Sequence, residues 1–276
     1  MSHSEHPTRP ASDSWRQLVV FAAAAFGWTW GVAAVIALLD PGTTRVALLF
    51  AIAVFGPSVT GVLLTARFEG RSGVVGLWRG ATRWRVHARW YAVVLLALPA
   101  SVVLAAAARN TQTGEALLAA APSMWPFIIL GALALGPLGE ELGWRGFALP
   151  RLLDLMPALP ASLLLGVVWW AWHLPAFWLG VPPFDTISPV PHLLSAVLMT
   201  IIMTGVYVRT GHSVLLSGIL VHTVVNASFA VLHLSLWTMA AALAVAALLV
   251  MTMTWSVWRA RPAAPTEAAS AQAGAR

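Results

Sequence analysis

The chain has 276 residues, of which 59% are hydrophobic and only 9% are charged, whereas soluble domains usually devote about a quarter of their residues to charge. This composition excludes an ordinary soluble fold and indicates that lipid is the main solvent of the chain. The sequence contains no cysteine, which excludes disulfides and a cysteine nucleophile, and its net charge of +6 comes from sixteen basic residues that are all arginine.

Apolar stretches long enough to cross a membrane follow one another along the chain. A helix needs about 20 apolar residues to cross a hydrocarbon core of roughly 30 Å. Ala92–Ala108 is apolar on nearly every face, unlike the short alternating strands of a membrane barrel. We therefore predict an all-α, polytopic bundle of about eight transmembrane helices. The predicted spans are 17–39, 46–66, 90–108, 124–149, 160–180, 190–208, 213–233 and 236–258.

The arginines are distributed unevenly between the two sides of this bundle. With the N-terminus inside, fourteen of the sixteen fall on the cytoplasmic side, and only Arg45 and Arg109 fall outside. Because arginine marks cytoplasmic loops, we predict that both termini are cytoplasmic. The expected location is the bacterial plasma membrane. The orientation of the chain in the membrane explains why the arginines lie in these loops, so the basic charge does not indicate a nucleic-acid partner.

Composition also divides the chain into three parts. Residues 16–259 form the predicted eight-helix membrane domain. Residues 1–15 form a cytoplasmic N-terminal tail, and residues 260–276, rich in Ala and Pro, form a disordered C-terminal tail.

Ionisable side chains occur in only a few places within the predicted spans. An ionisable group inside a membrane costs at least roughly 2–3 kcal/mol, so such groups usually face the bundle interior and mark function. At a rise of about 1.5 Å per residue, three clusters lie at a similar depth from the cytoplasmic side. We therefore predict one shared site. The clusters are Glu140, Glu141 and Arg145 in the fourth span, Trp169 and His173 in the fifth, and His222 and Asn226 in the seventh.

The spacing within the fourth span separates the two glutamates. Glu141 and Arg145 are four residues apart, so they share one helical face and can form an ion pair. Glu140 points about 100° away from Glu141 and can address other helices. Glycines around this motif favour close approach of neighbouring helices or of a substrate backbone. They are Gly131, Gly136, Gly139, Gly143 and Gly146.

The other two clusters repeat the interval of four residues. His222 and Asn226 would present an imidazole and a carboxamide side by side, and Trp169 would form an aromatic wall beside His173. By contrast, three histidines lie at predicted span ends, where anchoring at the membrane interface is expected. They are His192, His212 and His233.

These residue types supply the groups that peptide-bond hydrolysis needs in a site with little water. Glu140 would be the general base that takes a proton from water. His173 would hold that water, either directly or through a metal. His222 and Asn226 would donate hydrogen bonds to the oxyanion that forms on the attacked carbonyl. Glu140, His173 and His222 could ligate zinc with water in the fourth place, so metal dependence stays open.

At these residues the sequence resembles the family of CAAX prenyl endopeptidases and bacteriocin-processing membrane proteases, known as the CPBP or Abi family. Three motifs of the family occur in order, over a core of roughly residues 120–235. Glu140, Glu141 and Arg145 match Glu-Glu-x-x-x-Arg, Trp169 and His173 match aromatic-x-x-x-His, and His222 and Asn226 match His-x-x-x-Asn. The family more often has Phe at the position of Trp169.

The resemblance implies an eight-helix intramembrane endopeptidase with its catalytic core at 120–235. It implies Glu140 as the base, His173 as its partner, and His222 with Asn226 as oxyanion donors. The implied substrate is a protein or peptide, either prenylated or embedded in the bilayer. The family has been described both as metalloproteases and as metal-free glutamate proteases.

Two other functions remain as alternatives. The chain could be a non-proteolytic scaffold or bacteriocin-immunity protein that uses the same polar cluster for binding. A small transporter is disfavoured because the sequence lacks paired interrupted helices in two symmetric halves.

Overall fold

The computed structural model describes residues 11–39, 43–181 and 184–259. Nearly all of these residues are helical, and the one pairing of extended backbone among them is an isolated bridge between Leu118 and Leu232. The prediction of an all-α fold is therefore confirmed. The helices are α1 Ala11–Leu39, α2 Thr43–Val54, α3 Gly56–Ala81, α4 Ala88–Thr113, α5 Pro122–Leu155, α6 Ala158–Leu179, α7 Pro189–Arg209, α8 Leu215–Val231, α9 Leu236–Met253 and α10 Trp255–Arg259.

Seven of these helical segments are long and apolar enough to cross a membrane. They are α1, the segment Leu48–Ala81 that joins α2 to α3, and α4, α5, α6, α7 and α9. The remaining predicted span corresponds to α8, an apolar helix that is shorter than the others. The chain is therefore an integral membrane protein, and each predicted span has a helical counterpart.

The first helix begins earlier than predicted. Residues 11–15, assigned above to the tail, are part of α1. Asp13 lies in the first turn, where a carboxylate interacts favourably with the positive end of the helix dipole, and Ser14 is fully buried. The remaining parts of the two predicted tails, 1–10 and 260–276, lie outside the described residues.

Residues 67–89, which connect the second and third predicted spans and contain six arginines, are also largely helical. Helix α3 continues to Ala81, with a kink at Gly70, where φ is +64°. Glycine tolerates this left-handed conformation without the steric cost that a Cβ would add. The kink turns the arginine-rich half of α3 away from its apolar half, a feature that apolar periodicity does not reveal.

The N-terminal half of α3 packs directly against the glutamate motif on α5. A Cβ added to Gly143 would lie 2.3 Å from the carbonyl oxygen of Pro57, and one added to Gly61 would lie 2.8 Å from the Cα of Gly143. The two backbones therefore touch, as glycine permits at membrane helix interfaces. This contact holds the helical turn that carries Glu140 and Glu141.

Each of the three motifs lies beside an interruption of regular α-helix. Helix α5 breaks at Leu135 and Gly136, and it contains a π-helical turn at Trp144–Ala148. Helix α6 turns at His173, before Pro175, which cannot donate a backbone hydrogen bond. Helix α8 opens with the π-helical segment Leu215–Leu220, immediately before the third motif. Such irregularities redirect side chains and occur frequently at functional sites.

Candidate active site

The four residues predicted to carry catalysis line one cavity of about 660 Å³. Glu140 reaches it from α5, His173 from α6, and His222 and Asn226 from α8. Most of the remaining wall is apolar. It comes from the three helices that carry the motifs and from α1, α2, α7 and α9. The structure therefore brings together the side chains that the sequence placed at similar depth.

Glu140 is held by a tryptophan from the next helix. Its side chain is 3% exposed, and the indole Nε1 of Trp169 donates a hydrogen bond of 2.6 Å to its Oε2. A hydrogen bond to a carboxylate is stronger than one between neutral groups and fixes its orientation. The sequence predicted only an aromatic wall at this position. The presence of tryptophan rather than phenylalanine could have indicated this contact, because only tryptophan has a ring N–H to donate.

Glu141 and Arg145 together connect α5 with α7 and α8. As predicted, its Oε1 accepts a hydrogen bond of 3.0 Å from Nη1 of Arg145, one turn further along α5. The same oxygen lies 2.8 Å from Nδ1 of His222 on α8. Nη2 of Arg145 donates to the hydroxyl of Thr200 on α7 at 3.1 Å. The link from Glu141 to His222 was missed, because sequence spacing does not identify partners on other helices.

His222 and Asn226, which their spacing of four residues put on one helical face, both approach the break in α5. A Cβ added to Gly136 would lie 3.1 Å from Nδ2 of Asn226 and 3.3 Å from Nε2 of His222. Nδ2 of Asn226 and Nε2 of His222, which can both donate hydrogen bonds, therefore lie close to the same point beside the Cα of Gly136. A larger residue at 136 would displace both side chains.

His173 is oriented by the backbone of its own helix. Its Nδ1 lies 2.8 Å from the carbonyl oxygen of Trp169. A carbonyl only accepts, so Nδ1 carries the proton in this contact, and Nε2 of the neutral ring is left as an acceptor. The ring can therefore accept a hydrogen bond from a water molecule in the cavity.

The sequence left open a zinc site at Glu140, His173 and His222. Zinc requires such ligands at about 2.0–2.2 Å from one ion, and in the part of the chain that the structure describes no three His, Asp or Glu side chains are grouped to hold a metal ion. The ring of Trp169 contacts both imidazoles, since its centroid lies 5.7 Å from that of His173 and 5.2 Å from that of His222. Its indole N–H donates a hydrogen bond to Glu140. The arrangement therefore does not fit this ligand set.

His192 is a cavity residue that the sequence assigned elsewhere. It was predicted to anchor α7 at the membrane interface, but it lines the cavity, and its ring centroid lies 4.9 Å from that of His173. Ser195, Ala196 and Met199 line the same wall. Their spacing of three, four and seven residues from His192 is the pattern of one helical face, and this pattern could have identified the residue.

A comparison with protein families gives a match over residues 122–228, to the family described as type II CAAX prenyl endopeptidase Rce1-like. This range begins at the first residue of α5, ends within α8 and contains all three motifs. It confirms the resemblance suggested by those motifs.

A curated relative points to the same family. The chain is 30% identical over 113 residues to CAAX prenyl protease 2 of Methanococcus maripaludis, and the alignment covers 36% of this chain and 38% of that protein. The chain thus spans well under half the length of this relative. Over the helices that carry the glutamate, tryptophan and histidine motifs, the chain is similar to the Rce1-like family of type II CAAX prenyl endopeptidases.

Proposed function

We propose that the chain is an intramembrane endopeptidase that hydrolyses a peptide bond of a protein or peptide bound in the cavity. The observation that carries this proposal is the buried carboxylate of Glu140 at the cavity wall, together with His173, His222 and Asn226. No side-chain nucleophile is required, because a positioned carboxylate can activate water.

In the proposed reaction, Glu140 takes one proton from a water molecule while Nε2 of His173 accepts a hydrogen bond from the other. The water oxygen attacks the carbonyl carbon of the substrate, and the carbonyl oxygen becomes an oxyanion. Glu140 then gives its proton to the amide nitrogen as the carbon–nitrogen bond breaks. The products are a carboxylic acid and an amine, and Glu140 returns to its carboxylate form.

His222 and Asn226 are the proposed oxyanion donors, since Nε2 of His222 and Nδ2 of Asn226 lie near one point above Gly136. Donation from both ring nitrogens requires His222 to be an imidazolium. The neighbouring carboxylate of Glu141 supplies a counter-charge for that imidazolium. With Glu140 and Arg145 also ionised, the buried cluster sums to zero charge, which limits the cost of burying it.

The name of the Methanococcus relative supports a substrate that ends in Cys-aliphatic-aliphatic-X, with a prenylated cysteine. The mostly apolar cavity wall is compatible with an apolar side chain or with a prenyl chain that enters from the bilayer. We place this activity in the plasma membrane of a bacterium, with both termini of the chain on the cytoplasmic side.

The test uses the purified full chain in liposomes and a fluorogenic peptide that ends in farnesylated Cys followed by Val, Ile and Ser. Glu140→Gln keeps the shape and hydrogen bonding of the side chain but removes the base. We expect it to lower kcat by about 10²- to 10⁴-fold. The matched control is Glu115→Gln, which should leave the rate unchanged. Glu115 is an exposed carboxylate in the loop after α4, and it is paired with Arg109 at the end of that helix. Unaltered cleavage in both Glu140→Gln and His173→Ala would refute the proposed function.

A further inference from the structure

Two polar side chains on α7 face the cavity without a hydrogen-bond partner. Ser195 is 8% exposed, and its hydroxyl oxygen has no partner among the described residues. The same holds for the buried Nδ1 of His192. Both residues line the cavity, and their separation of three positions puts them on one face of the helix. They form a second polar patch, distinct from the charged cluster on α5 and α8.

Ser195 differs from most buried hydroxyls of the neighbouring helices. Among the described residues, Ser14 and Ser58 are also buried without a hydroxyl partner, but neither lines the cavity. Ser162, Thr200, Thr204 and Thr223 each donate to the carbonyl oxygen four residues earlier, at 2.7–2.8 Å. This bond satisfies the hydroxyl within its own helix. The Ser195 hydroxyl makes no such bond and keeps its full capacity to donate and accept. A buried polar group in this state is unfavourable unless a ligand or water completes it.

The patch lies beside the residue proposed to orient the attacking water. The ring of His192 packs edge to face against that of His173, with centroids 4.9 Å apart. It also packs against the rings of Phe177 and Phe184, at 5.3 Å and 5.6 Å. These contacts fix the plane of the imidazole, although none of them gives Nδ1 a hydrogen-bond partner. A substrate within reach of His173 would therefore also reach this wall of α7.

A peptide in this cavity needs polar partners along its backbone. Cleavage requires an extended segment, which leaves behind the hydrogen bonds of a helix, and the surrounding apolar wall offers no replacement. Imidazole and hydroxyl groups can each donate and accept, so they can pair with both backbone N–H and C=O groups. We propose that His192 and Ser195 form a subsite that binds the peptide backbone of the substrate next to the bond that is cleaved. This inference rests on the proposed function and adds substrate-positioning residues to it.

The first test compares kinetic constants with the farnesylated peptide described above. His192→Phe keeps an aromatic ring but removes both nitrogens, and Ser195→Ala removes only the hydroxyl. Each should raise KM about three- to tenfold while kcat stays within about twofold. His192→Gln, which retains a donor and an acceptor, should regain most of the affinity. Ser162→Ala is the matched control, because this buried serine on α6 lies outside the cavity and donates to Ala158.

A second test identifies the backbone group that the subsite binds. A series of peptides carries one ester in place of one amide, so that each lacks a single N–H. At one position the ester should weaken binding to the wild type but not to the His192→Phe/Ser195→Ala double variant. The ester and the double variant each remove one side of the same hydrogen bond, so the second change adds no further loss. Equal ester effects in the two proteins at every position, or an unchanged KM in the double variant, would overturn the subsite.

Binding without turnover separates this inference from the proposed function. The affinity of the farnesylated peptide for the Glu140→Gln protein is measured by fluorescence anisotropy, with and without the two α7 substitutions. A loss of affinity of about tenfold or more is expected from both substitutions together. Equal affinity, or no binding to either protein, overturns the subsite. Absence of cleavage by the wild type would instead overturn the proposed function.

Discussion

Trp169 touches four polar side chains of the candidate site. Its indole N–H donates to Glu140, its carbonyl oxygen orients His173, and its ring meets the ring of His222 edge to face. The guanidinium carbon of Arg145 lies 4.3 Å from its ring centroid. This residue therefore fixes the relative positions of groups that come from three helices.

Trp169→Phe keeps most of the ring but removes the hydrogen bond to Glu140. A hydrogen bond to a charged group contributes roughly 1.5–3 kcal/mol, so we expect kcat to fall about 10- to 100-fold. KM should change little, because the substrate does not replace this contact. Trp170→Phe is the control, since its indole donates to the carbonyl oxygen of Pro189 outside the cavity. Equal kcat values for the wild type and Trp169→Phe would contradict this role.

Chelation gives a second prediction at the residue scale. The described side chains do not form a three-ligand metal group, and Trp169 lies among the candidate ligands. We therefore expect 1,10-phenanthroline to leave the cleavage rate within about twofold of its starting value, as measured with the fluorogenic peptide. Loss of activity that zinc restores would show that the side chains rearrange around a metal.

Spacing along single helices was enough to predict the members of the site but not their partners. The pair of Glu141 and Arg145 follows from one helical turn and was predicted correctly. The contact of Glu141 with His222 joins residues 81 positions apart, so no local pattern contains it. His192 was not predicted as a cavity residue, because its position near a span end outweighed the face that it shares with Ser195.

At the scale of helices, the site depends on a close backbone contact. Gly143 lies against the carbonyl oxygen of Pro57, so α3 supports the turn of α5 that carries both glutamates. The breaks at Gly136 and His173 then direct side chains into the cavity. Hydrophobic periodicity predicted that these helices exist, but it revealed neither the breaks nor the π-helical turns. Both depend on local backbone geometry and tertiary contacts.

Gly143→Ala tests this contact. The added Cβ would lie 2.3 Å from a backbone oxygen, which cannot move aside as a flexible side chain could. Overpacking of this kind typically costs about 1–3 kcal/mol, so the apparent Tm in detergent should fall by several degrees. Gly131→Ala on the same helix is the control, because nothing lies within 4 Å of its added Cβ. Equal Tm values for the two variants would show that α3 and α5 separate easily.

For the whole molecule, the distribution of arginine predicts an orientation in the membrane. The absence of cysteine allows single cysteines to be introduced without background labelling. Thr82 follows the arginine-rich half of α3, and Gln112 lies at the far end of α4, and both are exposed. A membrane-impermeant maleimide added to intact cells should label Gln112→Cys and spare Thr82→Cys. The opposite pattern would mean that the termini face outward.

The cavity draws its walls both from the segment that matches the family and from helices that lie outside this segment. Thr29 and Ile36 on α1, and Phe50 and Ala53 on α2, line it although they lie outside residues 122–228. The polar side chains of the candidate site and this part of the cavity wall therefore come from different parts of the chain. Under the proposed function, substitutions that reshape the α1 and α2 wall should change which substrates bind and leave the proposed catalytic groups in place.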